Sequence, residues 1–327
     1  MTTAAPLEVR SLTKHFAIGN ALRRAHVHAV DDVSFELRPG KITALVGESG
    51  SGKSTVARLL ARLYDPSAGA VLFEGSDVSR VRRRRDDLRY RSQVQMIFQD
   101  PFGSLNPVKT IRHHIERPLR IHRIVAPARI EERVHELLRT VGLVPPEDIA
   151  AKYPHELSGG QRQRVAIARA LAVEPKVVLA DEPISMLDVS IRIGILNLML
   201  RLKEERGIAF LYVTHDLASA RYLADDILVM YAGQIVERGP IEQVLSAPLH
   251  PYTRLLLAAV PDPATKLHVQ RIEMRKGLAS AAVDPPEGCR FVTRCPLAID
   301  VCSRVTPPLV EARPRQAARC HVTAPST

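Results

Sequence analysis

The chain has 327 residues, which is more than one ordinary hydrophobic core needs and predicts one large domain with a smaller appendage. Charged residues make up 25% of the sequence and hydrophobic residues 46%, which excludes a disordered, collagen-like or fibrous chain. No run reaches the roughly 18 apolar residues of a membrane-spanning helix, and the N-terminus lacks the basic and apolar regions of a secretory signal. We therefore expect a cytoplasmic location.

The net charge predicts anionic partners. Lys and Arg outnumber Asp and Glu by 46 to 35, a net charge of +11, which suits nucleotide phosphates, nucleic acid or an acidic membrane surface. The densest basic run, residues 80–91, contains seven arginines around Asp86 and Asp87. Tyr90 is its one aromatic residue, whereas single-strand nucleic-acid surfaces interleave aromatic and basic side chains. We interpret the run as a solvated helix face and expect no nucleic-acid partner.

Residues 1–260 alternate short apolar segments with segments of helical period. The apolar segments predict strands at residues 41–46, 177–180, 210–214 and 226–231. The helical periodicity predicts helices at residues 54–64, 130–141, 161–173 and 191–206. Strands that are apolar on both faces and separated by helices predict an α/β fold whose sheet is covered on both sides and largely parallel.

A change in composition near Pro261 predicts a domain boundary. All four cysteines and nine of the 24 prolines lie in the last 67 residues. We therefore predict a main domain at residues 1–260 and a small extension, rich in Cys and Pro, at residues 261–327.

The segment after the first predicted strand carries a phosphate-binding motif. Residues 47–55 read GESGSGKST and match G-x-x-x-x-G-K-[ST] between a strand and a helix. In such a loop backbone N–H groups and the helix N-terminus surround phosphate oxygens. Lys53 would reach the outer phosphates, and the Ser54 hydroxyl would bind Mg²⁺. The predicted nucleotide-binding residues of the loop are Gly47, Glu48, Ser49, Gly50, Ser51, Gly52, Lys53, Ser54 and Thr55.

Two acidic residues follow the predicted strand at 177–180. Asp181 comes after four apolar residues, so its carboxylate lies at the sheet edge, where it can meet a metal ion beside the phosphates. Glu182 would face the attacking water as general base or water-orienting group. Together with the loop at Gly47, these residues predict an enzyme that binds and hydrolyses a nucleoside triphosphate.

A second phosphate-contacting segment, LSGGQ, occupies residues 157–161. Ser158 is a favourable N-cap for the helix that follows, and Gly159 and Gly160 allow close approach of a phosphate group. The chain already has a phosphate loop 110 residues earlier. We therefore interpret this segment, with Gln161, as contacting the nucleotide bound by a partner subunit.

With these motifs the sequence resembles the ATP-binding subunits of ABC transporters. The resemblance implies a P-loop NTPase fold with a mostly parallel core sheet, an N-terminal antiparallel β part and a helical subdomain at about residues 100–160. It implies adenine stacking by Phe16 in LTKHF and a γ-phosphate switch at His215 in YVTHDL. It implies metal sensing and contact with membrane subunits for Gln99 in MIFQDP, and a dimer-interface position for Asp188 in SMLDVS.

Two features depart from the family pattern. Ile184 and Met186 stand where the family most often has Thr and Ala, although neither change removes a catalytic group. The stretch after Phe16 lengthens the expected loop and offers His26 or His28 as alternative partners for adenine.

The resemblance also implies the assembly. Two ATP-binding subunits, identical or paralogous, would sandwich two nucleotides head to tail, each site taking residues 158–161 from the other chain. Ser54, Gln99 and Asp181 would hold Mg²⁺ in each site. The implied partners are two transmembrane permeases and a substrate-binding protein, with this chain placed peripherally at the cytoplasmic face of the cell membrane.

The C-terminal stretch indicates the cargo. HPYTRLLLAAVPDP at residues 250–263, then GCRFVTRCPLAIDVC and ARCH, resemble the extension of oligopeptide/dipeptide importer ATPases. Nickel complexes and oligosaccharides stay open, because relatives with this extension import them. A DNA-repair or chromosome-maintenance ATPase is a remote alternative, since it needs a long insertion and only 134 positions separate Gly47 from Asp181.

The cysteines are spaced C-x5-C-x6-C-x17-C. Clustered thiols in an intracellular protein favour metal over disulfides, but these gaps differ from the short C-x2-C pairs of common zinc sites. A [4Fe-4S] cluster, tetrahedral zinc and reduced structural thiols are the three open interpretations. Relatives with this extension can hold the cluster. The candidate ligands are Cys289, Cys295, Cys302 and Cys320.

Overall fold

A computed structural model describes residues 5–20, 23–79, 81, 83–259, 282–285 and 287–324. The strands are β1 (Leu7–Asn20), β2 (Arg23–Leu37), β3 (Ile42–Val46), β4 (Ala68–Phe73), β5 (Ser76–Asp77), β6 (Val94–Ile97), β7 (Val177–Asp181), β8 (Ala209–Thr214), β9 (Asp226–Tyr231), β10 (Gln234–Pro240), β11 (Val310–Arg313) and β12 (Gln316–Ala318). The helices are α1 (Lys53–Leu60), α2 (Arg84–Gln93), α3 (Ile111–His122), α4 (Ile130–Thr140), α5 (Pro146–Ala151), α6 (Gly159–Leu171), α7 (Val189–Arg206), α8 (Leu217–Leu223), α9 (Ile241–Ser246) and α10 (Pro251–Ala258). The boundary predicted at Pro261 lies outside the described residues, and none of these helices is long and apolar enough to cross a bilayer.

The main sheet has the strand order β11-β12-β10-β9-β3-β8-β7-β6. The neighbours β9, β3, β8, β7 and β6 are parallel. Beyond β9, the strands β10, β12 and β11 extend the sheet in antiparallel pairs. All four strands predicted from apolar segments lie in this parallel part. Every residue of β3, β7 and β8 is buried, as expected for strands covered on both faces. The predicted α/β class with a largely parallel sheet is confirmed.

A second, antiparallel sheet has the order β2-β1-β4-β5 and contains the N-terminal strands. Its apolar face packs against α1 and the main sheet through a shared core that includes Leu7, Val33, Leu45 and Val56. The stretch after Phe16, expected to be a long loop, instead continues the pairing of β1 with β2 as far as residues 20 and 23. That expectation was wrong, because the two backbones stay paired from Phe16 with Val27, through Ile18 with Ala25, to Asn20 with Arg23.

The expected helical subdomain is formed by α3 to α6. Their apolar residues recur at helical spacing, and one buried cluster includes Ile111 and Ile115 of α3, Val134 and Leu138 of α4, and Val165 of α6. The same cluster continues into the main sheet, so the helices that follow β6 are packed directly on the strands that carry the predicted site.

The first predicted helix is shorter than the sequence indicated. The periodicity extends to Tyr64, but α1 ends at Leu60 because Arg62 adopts a left-handed φ of +54°. In that conformation its guanidinium donates to the Asp87 carboxylate at 2.6 Å and to the Val81 carbonyl at 2.7 Å. The Leu63 N–H donates to the Arg58 carbonyl at 2.9 Å and the Arg62 N–H to the Leu59 carbonyl at 3.0 Å, so a Schellman motif ends the helix and the ion pair with Asp87 accompanies it.

The arginine-rich run forms most of α2. Asp87 accepts bonds from Arg62 and Arg91, and the buried Tyr90 donates to the Leu60 carbonyl at 2.6 Å. Arg83, Arg84, Arg85 and Arg89 are exposed. The Asp87 carboxylate and the Tyr90 hydroxyl thus anchor α2 to the end of α1, and the exposed arginines of the run face solvent.

The C-terminal extension is joined to the main sheet by a buried carboxylate. Glu237 on β10 accepts backbone N–H groups of Leu249 and His250 and the side-chain amide of Gln316 on β12, each at 2.8 Å. These three donors satisfy a carboxylate that is otherwise costly to bury. The segment before α10 and the strands of the extension are therefore fixed to the same point.

His250 should make the stability of the fold sensitive to acid. Its ring is fully buried, its Nδ1 accepts the Tyr252 N–H at 3.1 Å, and burial lowers the pKa of His250 to about 3. The unfolded side chain titrates at about 6.5. Between these values the unfolded chain binds a proton that the folded chain excludes, so stability falls as the pH falls, by up to about 1.4 kcal/mol per pH unit.

The variant His250→Gln keeps an acceptor but does not titrate. In urea unfolding at pH 7, 6 and 5, we expect the difference in unfolding free energy between wild type and variant to narrow toward pH 5. A difference that stays constant over this range would contradict the assignment, because other titrating groups affect both proteins equally.

Candidate nucleotide-binding and catalytic site

The predicted site residues lie on loops at the carboxyl ends of adjacent parallel strands. The register places Val46 of β3 beside Thr214 of β8, Val213 beside Asp181 of β7, and Ala180 beside Ile97 of β6. The loops that follow these strands therefore begin side by side. This edge is where ligands bind in open α/β sheets.

The phosphate loop is walled by the backbones of β2 and β9. Gly47 and Gly52 have φ values of +156° and +107°. A Cβ atom would lie 2.1 Å from the Met230 carbonyl oxygen at Gly47 and 2.0 Å from the Ala29 carbonyl oxygen at Gly52. Only glycine fits these two positions. After Gly52 the chain enters α1, and the first N–H groups of this helix favour an anion.

Other residues of the loop differ in exposure. Ser49 and Gly50 form its exposed tip, whereas Ser51 is buried and its carbonyl oxygen accepts the Gly233 N–H at 2.9 Å. Thr55 lies half-buried in the first turn of α1. The loop is thus held to the β9–β10 turn immediately after its tip.

Lys53 is a buried ammonium group surrounded by oxygen atoms. Its Nζ donates to the carbonyl oxygens of Gly47 and Glu48, both at 2.8 Å. Burial lowers the pKa of Lys53, and the carboxylates of Glu182, Asp181 and Glu48 oppose that change. A buried cation at this place is positioned for the negative charge of a phosphate.

Ser54 and Asp181 are brought together as predicted for a metal site. The Ser54 hydroxyl donates to Asp181 Oδ1 at 2.8 Å. Burial raises the pKa of Asp181, while this hydrogen bond lowers it. Oxygen atoms are the ligands that Mg²⁺ prefers, so the donor set fits this ion.

Three residues predicted separately meet at one carboxylate. Glu182 accepts a bond from Gln99 Nε2 at 3.0 Å, and its other oxygen lies 3.1 Å from His215 Nδ1. Glu182 also adopts a left-handed φ of +45°, a costly conformation for this residue type. Its N–H donates to the Val213 carbonyl at 2.9 Å and holds it there. The strained position directs the carboxylate between the loops after β6 and β8.

The LSGGQ segment forms the start of α6. The Ser158 hydroxyl accepts the Gln161 N–H at 3.3 Å, and the Gln161 side chain accepts the Ser158 N–H at 3.0 Å, a capping box. A Cβ at the buried Gly160 would lie 2.5 Å from Ile191 on α7, and one at Gly159 would lie 3.7 Å from Leu187. The segment therefore packs beside the loop that ends in Asp188.

Several predicted residues lie apart from the phosphate loop. Within the described chain no hydrogen bond joins Asp188 or residues 158–161 to residues 47–55. Ser158 and Asp188 are both exposed. The Phe16 ring packs edge-on against Tyr64 at 5.5 Å, and the alternative candidate His28 stacks on His15 at 3.7 Å. The adenine-stacking and dimer-interface assignments stay predictions.

Sequence reasoning missed three residues that contact the phosphate loop or its support. The Glu48 N–H donates to the Tyr252 hydroxyl at 2.8 Å, and Arg294 donates to both Glu48 carboxylate oxygens. Arg290 donates to the Ala232 carbonyl. Tyr252, Arg290 and Arg294 lie within the C-terminal stretches that resemble the importer extension. Nothing in the spacing of those stretches indicates contact with a loop so far away, since 204 positions separate Tyr252 from Glu48 and 246 separate Arg294 from it.

The four cysteines lie in the C-terminal extension. Cys295, Cys302 and Cys320 are buried and Cys289 is partly exposed. The Cys289 N–H donates to the Cys302 carbonyl oxygen at 2.7 Å. Burial, with smaller contributions from the other three cysteines nearby, raises the pKa of the Cys289 thiol to about 11. The structure therefore gathers the four residues in one region.

Similarity to known proteins follows these motifs. Residues 30–185 match the ABC transporter family, and residues 236–302 match the oligopeptide/dipeptide transporter C-terminal region. The chain is 46% identical to a probable peptide ABC transporter ATP-binding protein of Sinorhizobium fredii, over 98% of this chain and 90% of that protein. The chain belongs to the ABC transporter ATP-binding proteins. It is 43% identical to an oligopeptide transport ATP-binding protein of Bacillus subtilis, over 97% of each chain.

The fold matches solved ABC cassettes. The dimeric cassette MJ0796 is 30% identical, with a TM-score of 0.64 over 72% of this chain and 98% of that chain. Its post-hydrolysis state bound to ADP and phosphate is 29% identical, with the same TM-score and coverage. This ABC transporter protein is an ATPase, and its fold class is that of the ABC ATPase cassette.

The glycine at position 52 should be indispensable for nucleotide binding. We expect Gly52→Ala to weaken ATP affinity at least about tenfold, because the added Cβ collides with the Ala29 carbonyl and a positive φ disfavours alanine. Gly75→Ala is the matched control, since Gly75 also has a positive φ but open space around its Cβ position. A titration with a fluorescent ATP analogue checks this. Equal affinities for the two variants would contradict the steric explanation.

Proposed function

We propose that this chain hydrolyses ATP to power the import of oligopeptides or dipeptides through an ABC transporter. The supporting observation is that Gln99 and His215 meet at Glu182, next to the hydrogen-bonded pair of Ser54 and Asp181. This arrangement unites the groups needed to hold a metal, to hold the outer phosphates and to orient a water molecule.

The roles follow from the positions of the groups. Lys53 binds the outer phosphates, and Ser54, Asp181 and Gln99 hold Mg²⁺, which neutralises phosphate charge when bound. Gln99 can serve two partners, because its NH₂ group donates to Glu182 while its carbonyl oxygen stays available to a metal.

The remaining groups act on the nucleotide and the water. Glu182 orients the attacking water or accepts its proton, and His215, 60% exposed, faces the γ-phosphate. Phe16 stacks on adenine. The loop residues 47–55 supply the N–H groups that surround the phosphates.

A second ATP-binding subunit completes each site. Ser158 and Asp188 are exposed, and Met186 and Val189 beside them leave more than half of their apolar surface in solvent. Residues 158–161 of one subunit then cap the nucleotide held by the other. The solved cassette MJ0796, similar to this chain, is dimeric.

Membrane permeases and a substrate-binding protein are the other partners, and the chain lies peripherally at the cytoplasmic face of the membrane. A cavity of about 940 Å³ opens beside Gln99 and is lined by side chains that include Phe98, Lys109, Arg117 and Ile121. It offers a permease segment both apolar and basic contacts next to a catalytic residue. The cargo assignment is supported by the C-terminal match and by the relatives, which are peptide transport proteins.

Glu182→Gln tests the catalytic assignment. We expect ATP turnover to fall by about 10² to 10⁴, with ATP affinity retained, because a general base acts mainly in the transition state. Glu205→Gln, at an exposed position on α7, is the matched control and should keep wild-type activity. Phosphate release and nucleotide titration measure the two properties. Wild-type turnover by Glu182→Gln would refute the assignment.

We further propose that Cys289, Cys295, Cys302 and Cys320 hold a [4Fe-4S] cluster. The proposal is supported by the four residues lying in one region, since four cysteine thiolates are the ligand set of such a cluster. A single tetrahedral zinc is the alternative that the test below separates from it. When bound, such a cluster stabilises the segment and can carry one electron.

Anaerobic purification tests this metal assignment. We expect coloured protein with about four iron atoms per chain, and loss of iron in Cys302→Ser. Ser303→Ala, at the neighbouring exposed position, is the control and should retain iron. Zinc at one atom per chain would support the tetrahedral alternative, and metal-free protein would support structural thiols.

A further inference from the structure

We infer that the C-terminal extension, together with Tyr252 of α10, clamps the phosphate loop, and that Arg294 is a positioning residue for nucleotide binding. The clamp consists of Tyr252, Arg290, Phe291 and Arg294. None of these four residues contacts nucleotide in the proposed mechanism.

Glu48 is the residue that the clamp holds. Its N–H donates to the Tyr252 hydroxyl at 2.8 Å, and its carbonyl oxygen accepts Lys53 Nζ at 2.8 Å. Its carboxylate accepts both guanidinium arms of Arg294, at 2.8 and 2.9 Å. The Glu48 carbonyl also accepts the Ser51 N–H at 3.2 Å. Every polar group of Glu48 is thus fixed, and two of its four partners, Tyr252 and Arg294, come from the C-terminal part of the chain.

Arg294 is preorganised for this contact. Its side chain is only 11% exposed, and its guanidinium carbon lies 5.7 Å from the ring centres of both Tyr231 and Phe291. A planar fork held between aromatic rings loses little freedom when it binds a carboxylate. The two-pronged bond therefore fixes the direction of Glu48 as well as its charge.

The clamp also holds the other side of the loop tip. Arg290 is 7% exposed and bonds the Ala232 carbonyl and the Asp31 carboxylate. The neighbouring Gly233 donates its N–H to the Ser51 carbonyl at 2.9 Å, and its carbonyl accepts the Asp31 N–H at 2.8 Å. The exposed tip at residues 49–50 is thus held on both sides. The clamp contacts Glu48 directly, and it reaches Ser51 through Gly233.

Both arginines project from one short turn between two cysteines. The turn is closed by the bonds from the Val292 N–H to the Cys289 carbonyl and from the Cys295 N–H to the Val292 carbonyl, at 3.0 and 3.3 Å. Phe291 is fully buried and packs on Tyr231 and Tyr252. The position of the phosphate loop therefore depends on the folded cysteine-containing segment.

Double-mutant analysis of the full chain tests the clamp. We expect Arg294→Ala and Glu48→Ala each to weaken the affinity for a fluorescent ATP analogue about tenfold. The double variant should bind no more weakly than either single variant, because both remove the same contact. Arg294→Lys keeps the charge without the fork and should show an intermediate loss. Arg304→Ala, exposed in the same extension, is the control and should bind like wild type.

The kinetic constants separate positioning from a general loss of structure. Arg294→Ala should raise KM for ATP with little change in kcat, because Glu182 and His215 stay in place. A lowered kcat with unchanged KM would mean a smaller folded fraction and would overturn the inference. Wild-type affinity in both single variants, or additive losses of affinity in the double variant, would also overturn it. Lys53→Ala is the reference: if it still binds nucleotide, the site assignment fails rather than the clamp.

Discussion

Parallel pairing of β3, β8, β7 and β6 is the constraint on which the site depends. The groups gathered at its edge come from positions as distant in sequence as Lys53 and His215. The in-register hydrogen bonds between neighbouring strands bring the ends of these strands level with one another. A slip of one residue in the pairing of β7 would move each of its side chains, including that of Asp181, to the other face of the sheet. The completely buried β-branched strands oppose such a slip because it would disturb the packing on both faces.

Two charged groups at this edge, Lys53 and Asp181, are largely buried. Burial lowers the pKa of Lys53 and raises the pKa of Asp181, so the folded chain disfavours both charged forms. Carbonyl groups and a serine hydroxyl form their hydrogen bonds, and the neighbouring charges, Glu182 for Lys53 and Arg58 for Asp181, oppose these pKa changes without reversing them. In the proposed mechanism a phosphate beside Lys53 and a divalent cation beside Asp181 would each favour the charged form of its partner. Burial of both groups would therefore favour binding of metal and nucleotide together.

The parts predicted well from the sequence were those encoded locally. The glycine loop, the strand that delivers Asp181 and the Ser158 cap each lie within a few residues, and their spacing carries their geometry. The end of α1 was not predicted, because its left-handed cap is formed by Arg62 rather than by the glycine or asparagine that usually signals one. The meeting of Gln99 with Glu182 and His215 required the strand order, which no single segment encodes. The long β1–β2 pairing was obscured by residues that read as a loop.

The C-terminal extension illustrates why distant contacts escape sequence reasoning. Its cysteines attracted attention as a motif, yet the residues that contact the phosphate loop are Tyr252 and Arg294, while Arg290 supports the neighbouring turn at Ala232. They are placed by the edge strands β10 to β12, by the buried Glu237 and by the packing of Phe291 on Tyr231. The extension therefore continues the sheet that carries the phosphate loop. A change in how its strands pair would move the support of Glu48 and, with it, the carbonyl oxygen that holds Lys53.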